Sequence, residues 1–302
     1  MLGAKVIARA KLNLFLDVGE RRDDGYHDIR SVMQSLELSD ELYFRRTDGS
    51  RGRITLRCSV SGLPTDEENI VWRAAEEFAG ATGAMLEGGI EVFINKRIPV
   101  GAGLAGGSAD AAATLIALNH ILELELGHDA LMDIAVGVGS DVPFCLAGGT
   151  ALVGGRGERV SRLESLPPYQ VVLAAPEEES STAEVYGRFD ELGGGAAPGR
   201  ECAPGLLDGL LEGIRSHDFN AICAGLSNSL EPASTDAGRV ERYKETALRG
   251  GASAALMTGS GPTVFAIVNG LEAAAEVAWE LGQIAPITII TSFAEKGAEL
   301  SL

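Results

Sequence analysis

A chain of 302 residues, 45% hydrophobic and 23% charged, has the size and composition of a globular protein with two domains or one large one. Its 43 acidic against 25 basic residues leave a formal net charge of −18, which argues against nucleic acid or an anionic membrane surface as a main partner. An anionic small substrate stays compatible, provided that a few placed Lys or Arg side chains and backbone N–H groups meet its charge.

Taken in chain order, residues 4–18 alternate with period two and predict a strand. Val6, Ala8, Ala10, Leu12, Leu14 and Leu16 fall on one face; Lys5, Ile7, Arg9, Lys11, Asn13 and Phe15 fall on the other. Lys11 and Asn13 therefore sit one pleat apart on the same face. A charged turn, Gly19 to Gly25, leads through Tyr26-His27-Asp28 into an apolar strand, Ile29–Leu38. Asp40–Arg46 and Arg53–Cys58 read as two further short strands. Asp66-Glu67-Glu68-Asn69 caps a helix from Ile70 to about Thr82, and Gly88–Asn95 alternates as a strand. A helix over about Ser108–Leu122 is apolar nearly all round and is expected to be buried. A second helix at about Asp129–Val138, the turn Gly139–Phe144 and a strand near Gly149–Gly154 close this half.

After Arg162 the pattern becomes strand–helices–strand–strand–helix–strand, an α+β sandwich. Its strands are Tyr169–Ala175, Ala254–Met257, Val264–Val268 and Thr288–Phe293. Its helices are Thr182–Glu191, Ala203–Ser216, Asp218–Ala224, Thr235–Arg249 and Glu272–Leu281. Gly193–Gly199 is a low-complexity loop. The longest uncharged run, Gly250 to Leu271, is broken by Ser, Thr, Asn, Pro and Gly, so it reads as strand and turn rather than a membrane span. No signal-peptide pattern opens the chain, and Cys58, Cys145, Cys202 and Cys223 form no CxxC pair. A zinc site or redox dithiol is disfavoured, and reduced thiols in a cytoplasmic protein are expected.

Three glycine-bearing segments carry the chemistry: 99–113, 139–149 and 258–263. The first has four glycines in the seven residues 101–107, then Ser108 and an alanine-rich helix. Glycine lets backbone approach a ligand closely, and a loop opening a helix presents N–H groups and the positive end of the helix dipole. The two readings are a phosphate cradle and an ordinary glycine turn ahead of a core helix; the order of Pro, Gly, Ser and Ala favours the cradle. The segment lacks GxxxxGK[ST]. Gly101-x-Gly103-x-x-Gly106 has the letters of a dinucleotide fingerprint, but no acidic residue ends a strand about 20 residues on. Asp141, in Gly-Ser-Asp-Val-Pro-Phe, is either a helix or turn cap or a base and charge positioner. On pattern alone Lys11 is an exposed edge-strand charge or a site cation, and Tyr26-His27 a satisfied turn pair or a recognition pair.

These residues resemble the GHMP small-molecule kinases from about residue 5 to residue 293. The glycine loop and Thr258-Gly259-Ser260-Gly261 are generic to that superfamily. Lys11-x-Asn13-x-Phe15-Leu16, Asp24-Gly25-Tyr26-His27, Gly139-Ser140-Asp141-Val142-Pro143-Phe144 and Gly155-x-Gly157-Glu158 are more specific, and resemble a member whose acceptor carries a cytidylyl group. The resemblance implies a two-domain α+β fold. Residues 1–163 would form an N-terminal domain of the ribosomal-protein-S5-domain-2-like type, and 164–302 a ferredoxin-like C-terminal sandwich.

It also implies ATP and Mg²⁺ as cofactors, a small-molecule cytidylyl substrate, and a monomer or homodimer. Asp141 would take the acceptor hydroxyl's proton and Lys11 would steady the developing charge. Asn13 would orient the substrate, Tyr26 and Tyr186 would stack on the two faces of the cytosine, and His27 would bind its edge. Gly259 and Ser260 complete the substrate set. Asn69, Lys96, Pro99, Gly101, Gly103, Leu104, Gly106, Gly107 and Ser108 form the ATP set, and no side chain is dedicated to the metal. The alternatives are a mevalonate- or homoserine-type kinase and a non-catalytic ligand-binding relative. Two departures stand out: Ala105 replaces a family glycine, and Glu177, Glu178 and Glu179 follow Pro176 where an anionic substrate would pass.

Overall fold

The computed structural model describes residues 3–47, 54–84, 89–178, 180–194 and 205–301. Arg53, Gly88, Glu179, Cys202, Ala203 and most of the 193–199 loop lie outside that range.

The first sheet is built on two long antiparallel strands, β1 (Gly3–Arg21) and β2 (His27–Thr47), with β3 (Ile54–Cys58) and β4 (Gly89–Asn95) beyond β2. The sequence suggested two strands within 29–46; the structure has one. Nothing in Ser39-Asp40 forces a turn: both residues stay paired with β1, and Asp40 accepts N–H bonds from Arg97 (2.6 Å) and Ile98 (2.9 Å). β5 (Thr150–Gly155) pairs with β2 and with β6 (Arg159–Arg162), a strand the sequence did not announce.

Strict alternation along β1 also fails. The β1–β2 register shifts between Arg9 and Lys11, between Asn13 and Phe15, and between Val18 and Arg21. Such bulges change which face a residue occupies. Leu12, Leu14 and Phe15 all enter the first hydrophobic core, whereas Leu16 and Val18 enter the second.

Helix α1 (Ile70–Thr82) packs on α2 (Gly106–Ile121), and α3 (His128–Val138) and α4 (Val142–Ala147) complete that layer. α2 is buried along most of its length, as its all-round apolar character requires. It starts at Gly106, two residues before the expected Ser108. The short α4 replaces the simple turn expected through Phe144.

The second sheet has the order β11-β7-β10-β9, antiparallel throughout, formed by β7 (Gln170–Ala175), β9 (Ala254–Met257), β10 (Val264–Val268) and β11 (Ile287–Ser292). Between β7 and β9 come α5 (Thr182–Glu191), α6 (Leu206–Ser216), α7 (Phe219–Ala224), the two-residue β8 (Ser227–Asn228) and α8 (Ala237–Arg249); α9 (Leu271–Gly282) links β10 to β11. This split βαββαβ order is the ferredoxin-like arrangement.

Its strands alternate between two cores. Val171, Leu173, Phe265 and Ile267 join the first sheet's core with Leu210, Ile214 and Ile222 of α6 and α7. Val172, Ala174, Val264, Ala266 and Val268 pack with α5, α8 and α9 residues, among them Phe189, Val240, Tyr243 and Val277. Two short strands return to the first sheet: β8 runs parallel to β1 at Phe15–Leu16, and β12 (Glu299–Leu300) pairs with Val6–Ile7. The chain's last described stretch thus closes the sheet its first residues open.

Candidate active site

A cleft of about 940 Å³ lies where the glycine loop, the middle and end of β1, the turn before α4, helix α5 and the 258–261 turn converge. It sits at the upper end of the roughly 300–1,000 Å³ typical of ligand pockets, large enough for a nucleotide beside a second substrate.

Lys11 and Asn13 project from β1 on one face. The buried Lys11 ammonium lies 2.8 Å from Asn13 Oδ1 and 3.5 Å from Asp141 Oδ2. Asn13 is fixed on its other side: its Nδ2 donates to Ser31 Oγ (2.8 Å), which donates to the Phe15 carbonyl (2.6 Å). Asp141 occupies the N-cap position of α4, but its side chain makes no cap bond; Pro143 begins the helix within its first turn. The capping alternative therefore gives way to a carboxylate turned to the Lys11 ammonium. The Lys11 amide donates to the Leu104 carbonyl (3.1 Å), tying this strand to the glycine loop.

That loop packs against the 258–261 turn so closely that a Cβ on Gly103, at φ +74°, would stand 2.9 Å from the Gly261 carbonyl oxygen and 3.0 Å from that of Thr258. Thr258 Oγ1 accepts the Asn13 amide (3.0 Å), and the buried Asn228 donates to the Met257 and Gly259 carbonyls at 2.8 Å each. The expected glycine departure is accommodated: Ala105 takes the left-handed conformation, φ 56°, ψ 32°, immediately ahead of α2. The first-turn amides of Gly106, Gly107 and Ser108 have no intrahelical acceptor, as at any helix start. All three residues line the cleft.

Asn69 is the N-cap of α1, accepting from the Val71 amide (3.0 Å) and donating to the Pro64 carbonyl (2.8 Å). The Lys96 ammonium is held between Asp40 Oδ2 (2.5 Å) and Asp110 Oδ2 (2.7 Å). Burial alone would lower that ammonium, but the Asp110 and Asp40 charges outweigh it and hold it above the ordinary lysine value.

His27 is buried at the start of β2, its Nε2 2.7 Å from Asp190 Oδ1 and its ring 5.1 Å from that of Tyr186 on α5. Burial, with the charge of Asp141, pushes the Tyr186 hydroxyl up, so it stays protonated. Tyr26 is exposed and lies 5.0 Å from the Arg156 guanidinium. Thr182 and Ser260 hydroxyls meet at 3.1 Å across the cleft.

The candidate catalytic, ATP and substrate residues all line this one cleft: Lys11, Asn13, Tyr26, His27, Asn69, Lys96, Pro99, Gly101, Gly103, Leu104, Gly106, Gly107, Ser108, Asp141, Tyr186, Gly259 and Ser260. Glu177 and Glu178 do not: Glu178 is exposed and paired with Arg239 at 2.8 Å, and Glu179 lies outside the described residues. The sequence reading missed Asp40, Asp110, Arg156, Asp190 and Asn228. Arg156 stood inside the Gly155-x-Gly157-Glu158 motif, and Asp110 two residues after Ser108. Asp40, Asp190 and Asn228 carry no local signal. Among the described residues no three His, Cys, Asp or Glu side chains are grouped to hold a metal ion, and no helix is long and apolar enough to cross a membrane.

The GHMP kinases N terminal domain matches residues 69–149, and the GHMP kinases C terminal domain matches residues 210–284. A relative from Pelotomaculum thermopropionicum, named 4-diphosphocytidyl-2-C-methyl-D-erythritol kinase, is 45% identical over 90% of this chain and 91% of its own length. One of the same name from Caldanaerobacter subterraneus is 39% identical over 98% of this chain and 99% of its own. A crystal structure titled 4-(cytidine 5'-diphospho)-2C-methyl-D-erythritol kinase superposes with a TM-score of 0.77 at 30% identity, covering 96% of this chain and 99% of that one. A homoserine kinase from Cytophaga hutchinsonii superposes with a TM-score of 0.79 at 23% identity, over 99% and 97% of the two chains, a likeness of fold alone.

Proposed function

The chain belongs to the GHMP kinase family, and from that premise we propose that it transfers the γ-phosphoryl group of ATP to the 2-hydroxyl of 4-diphosphocytidyl-2-C-methyl-D-erythritol, a step of isoprenoid precursor synthesis. The observation that carries the chemistry is the Lys11 ammonium set between Asn13 and Asp141 in the cleft that the glycine loop opens onto.

Phosphoryl transfer asks chiefly for positioning and charge neutralisation. Asp141 accepts the proton of the acceptor hydroxyl as its oxygen bonds to the γ-phosphorus. The bond from that phosphorus to the β,γ-bridging oxygen breaks, and ADP leaves. Lys11 neutralises charge on the attacking side, and Asn13, braced by Ser31, orients both. The α2 start supplies amides from Gly106, Gly107 and Ser108 for the polyphosphate, with Pro99, Gly101, Gly103 and Leu104 shaping the loop. Asn69 and Lys96 complete the nucleotide half through the α1 cap and the buried carboxylates. Tyr26 and Tyr186 offer flat faces to cytosine, whose donor–acceptor edge suits the imidazole of His27. Gly259 and Ser260 close the acceptor side.

Magnesium fits this set as an ion carried by the nucleotide. It keeps several waters and commonly rides on substrate phosphates, and the chain provides no cage of side chains among its described residues. The reading also includes a cytoplasmic location, a monomer or homodimer, no nucleic-acid partner, and a domain division at 163/164, with β8 and β12 crossing back.

The test is phosphorylation by purified protein with ATP and Mg²⁺. ADP release with the cytidylyl acceptor, and not with homoserine or mevalonate, is the expected result. Turnover with one of the latter alone removes the substrate assignment, and nucleotide binding with no acceptor turned over revives the non-catalytic relative.

A further inference from the structure

Asp40, Lys96 and Asp110 form a buried cluster behind the phosphate-facing turn of α2. All three side chains are at most 5% exposed. Asp40 is saturated: Oδ2 takes the Lys96 ammonium, and Oδ1 takes the amides of Arg97 and Ile98, the residues that lead into Pro99 and the glycine loop. Lys96 reaches across to Asp110, on the second turn of α2. The Asp40–Lys96 pair therefore ties down both ends of the loop, Ile98 before it through Asp40 and Asp110 after it through Lys96. The fit is tight, for a Cβ on Gly106 would stand 3.1 Å from Lys96 Nζ. Asp110 Oδ1 is buried and has no hydrogen-bond partner.

We infer that this cluster is a positioning device for the nucleotide half of the cleft, and that it couples ATP binding to a proton carried by Asp110. The inference rests on the ATP-dependent reading above. With both carboxyls ionised the cluster carries one uncompensated negative charge, buried beside the helix start that must receive a polyanion. Unpaired buried charge is strongly disfavoured. A proton on Asp110 removes the charge, and a bound polyphosphate favours that proton further. Linkage is reciprocal, so the proton favours the nucleotide equally.

The other elements against α2 do not supply a competing charge. α1 and α3 bury apolar residues, β1 contributes Lys11, already engaged by Asn13 and Asp141, and β12 contributes Glu299, paired with Arg9. α4 contributes Cys145, whose thiol burial pushes up, with the Asp141 charge adding, so it stays neutral. Burial likewise pushes the Asp110 carboxyl up, Lys96 opposing and Asp40 reinforcing the shift.

The decisive measurement is calorimetric titration with Mg²⁺ and a non-hydrolysable ATP analogue, in buffers of different ionisation enthalpy, across the alkaline range. The wild-type protein should take up protons on binding, and its affinity should fall by up to about tenfold per pH unit where Asp110 is ionised in the free protein. Asp110→Asn should lose both the uptake and the slope. Equal uptake in the two proteins, or pH-independent affinity in the wild type, overturns the coupling. Asp40→Asn should raise KM for ATP more than it lowers kcat, and an unchanged KM overturns the positioning role. Should a variant fail to fold, infrared difference spectra of wild-type protein decide: the analogue must increase the carboxylic-acid C=O band, and no increase defeats the coupling. Absence of any analogue binding by wild-type protein would instead sink the ATP-dependent reading itself.

Discussion

The Lys11 ammonium stands 3.5 Å from the Asp141 carboxylate, although 130 positions separate the two in the chain. Lys11 comes from the middle of a long strand and Asp141 from the turn ahead of a six-residue helix. Lys11 also contacts Asn13 Oδ1 at 2.8 Å, so removal of either the cation or the carboxylate leaves an unmatched group in the cleft. Asp141→Asn should lower kcat by about 10²–10⁴-fold, the usual worth of a general base, while leaving the affinity for an ATP analogue nearly unchanged. Lys11→Met should lower kcat similarly. Steady-state kinetics and analogue titration check both; near-normal kcat in Asp141→Asn removes its role.

Recognition of the acceptor should depend on α5. Tyr186→Ala removes a stacking face worth roughly 1–3 kcal/mol per base, by analogy with base stacking on aromatic side chains in nucleic-acid sites. That predicts a rise of about 5- to 150-fold in KM for the cytidylyl acceptor, with KM for ATP unchanged. His27→Ala should act on the same parameter. Equal rises in both KM values would point to a collapsed cleft instead of a lost contact.

Gly103→Ala should be poorly tolerated. The added Cβ meets two backbone carbonyls at 2.9 and 3.0 Å, and positive φ costs a non-glycine residue about 1–2 kcal/mol. With overpacking of about 1–3 kcal/mol, urea denaturation should show a loss of about 2–5 kcal/mol. A loss under about 1 kcal/mol would mean that the two loops part easily.

Ala105→Gly should do the reverse. Ala105 already holds a left-handed conformation at φ 56°, so glycine relieves about 1–2 kcal/mol of strain. The more flexible unfolded chain returns about 0.4–1 kcal/mol of that. The net expectation is a gain of about 0–1.6 kcal/mol with ATP turnover retained. Marked destabilisation would show that the alanine methyl packs usefully.

Stability should fall as pH rises toward the alkaline side. Burial raises the Asp110 carboxyl from 3.8 to about 8. Between those values the folded protein holds a proton that the unfolded chain has released. The contribution is complete below the lower value and lost as pH rises through the upper one. Thermal melts of Asp110→Asn should show a flatter profile across that window than the wild type, and identical profiles would remove Asp110 as the cause.

Local pattern was enough for α1, whose bounds Ile70–Thr82 follow from the Asn69 cap and the apolar stripe, and for the strands Ala254–Met257 and Val264–Val268 around their glycine turn. The family resemblance rested on short motifs, each of which places at least one residue in one cleft, among them Lys11, Tyr26, His27, Asp141, Arg156 and Ser260. Bulges, by contrast, leave no mark in the residue pattern. The shift between Asn13 and Phe15 sends Leu16 to a different core from Leu14, and only pairing with β2 imposes it.

What the sequence determined by itself was the chemistry available: a glycine loop opening a helix, a lysine and an asparagine one pleat apart, an aspartate in a glycine turn, and a tyrosine beside a histidine. Each follows from local conformation or from residue type within a short window. What only the tertiary structure decided was which charges meet. Lys96 reaches Asp40 and Asp110, Asp190 reaches His27, and Asn228 braces the 258–261 turn through partners distant in the chain. Such pairings arise from strand order and helix docking, and burial then makes each of them energetically consequential.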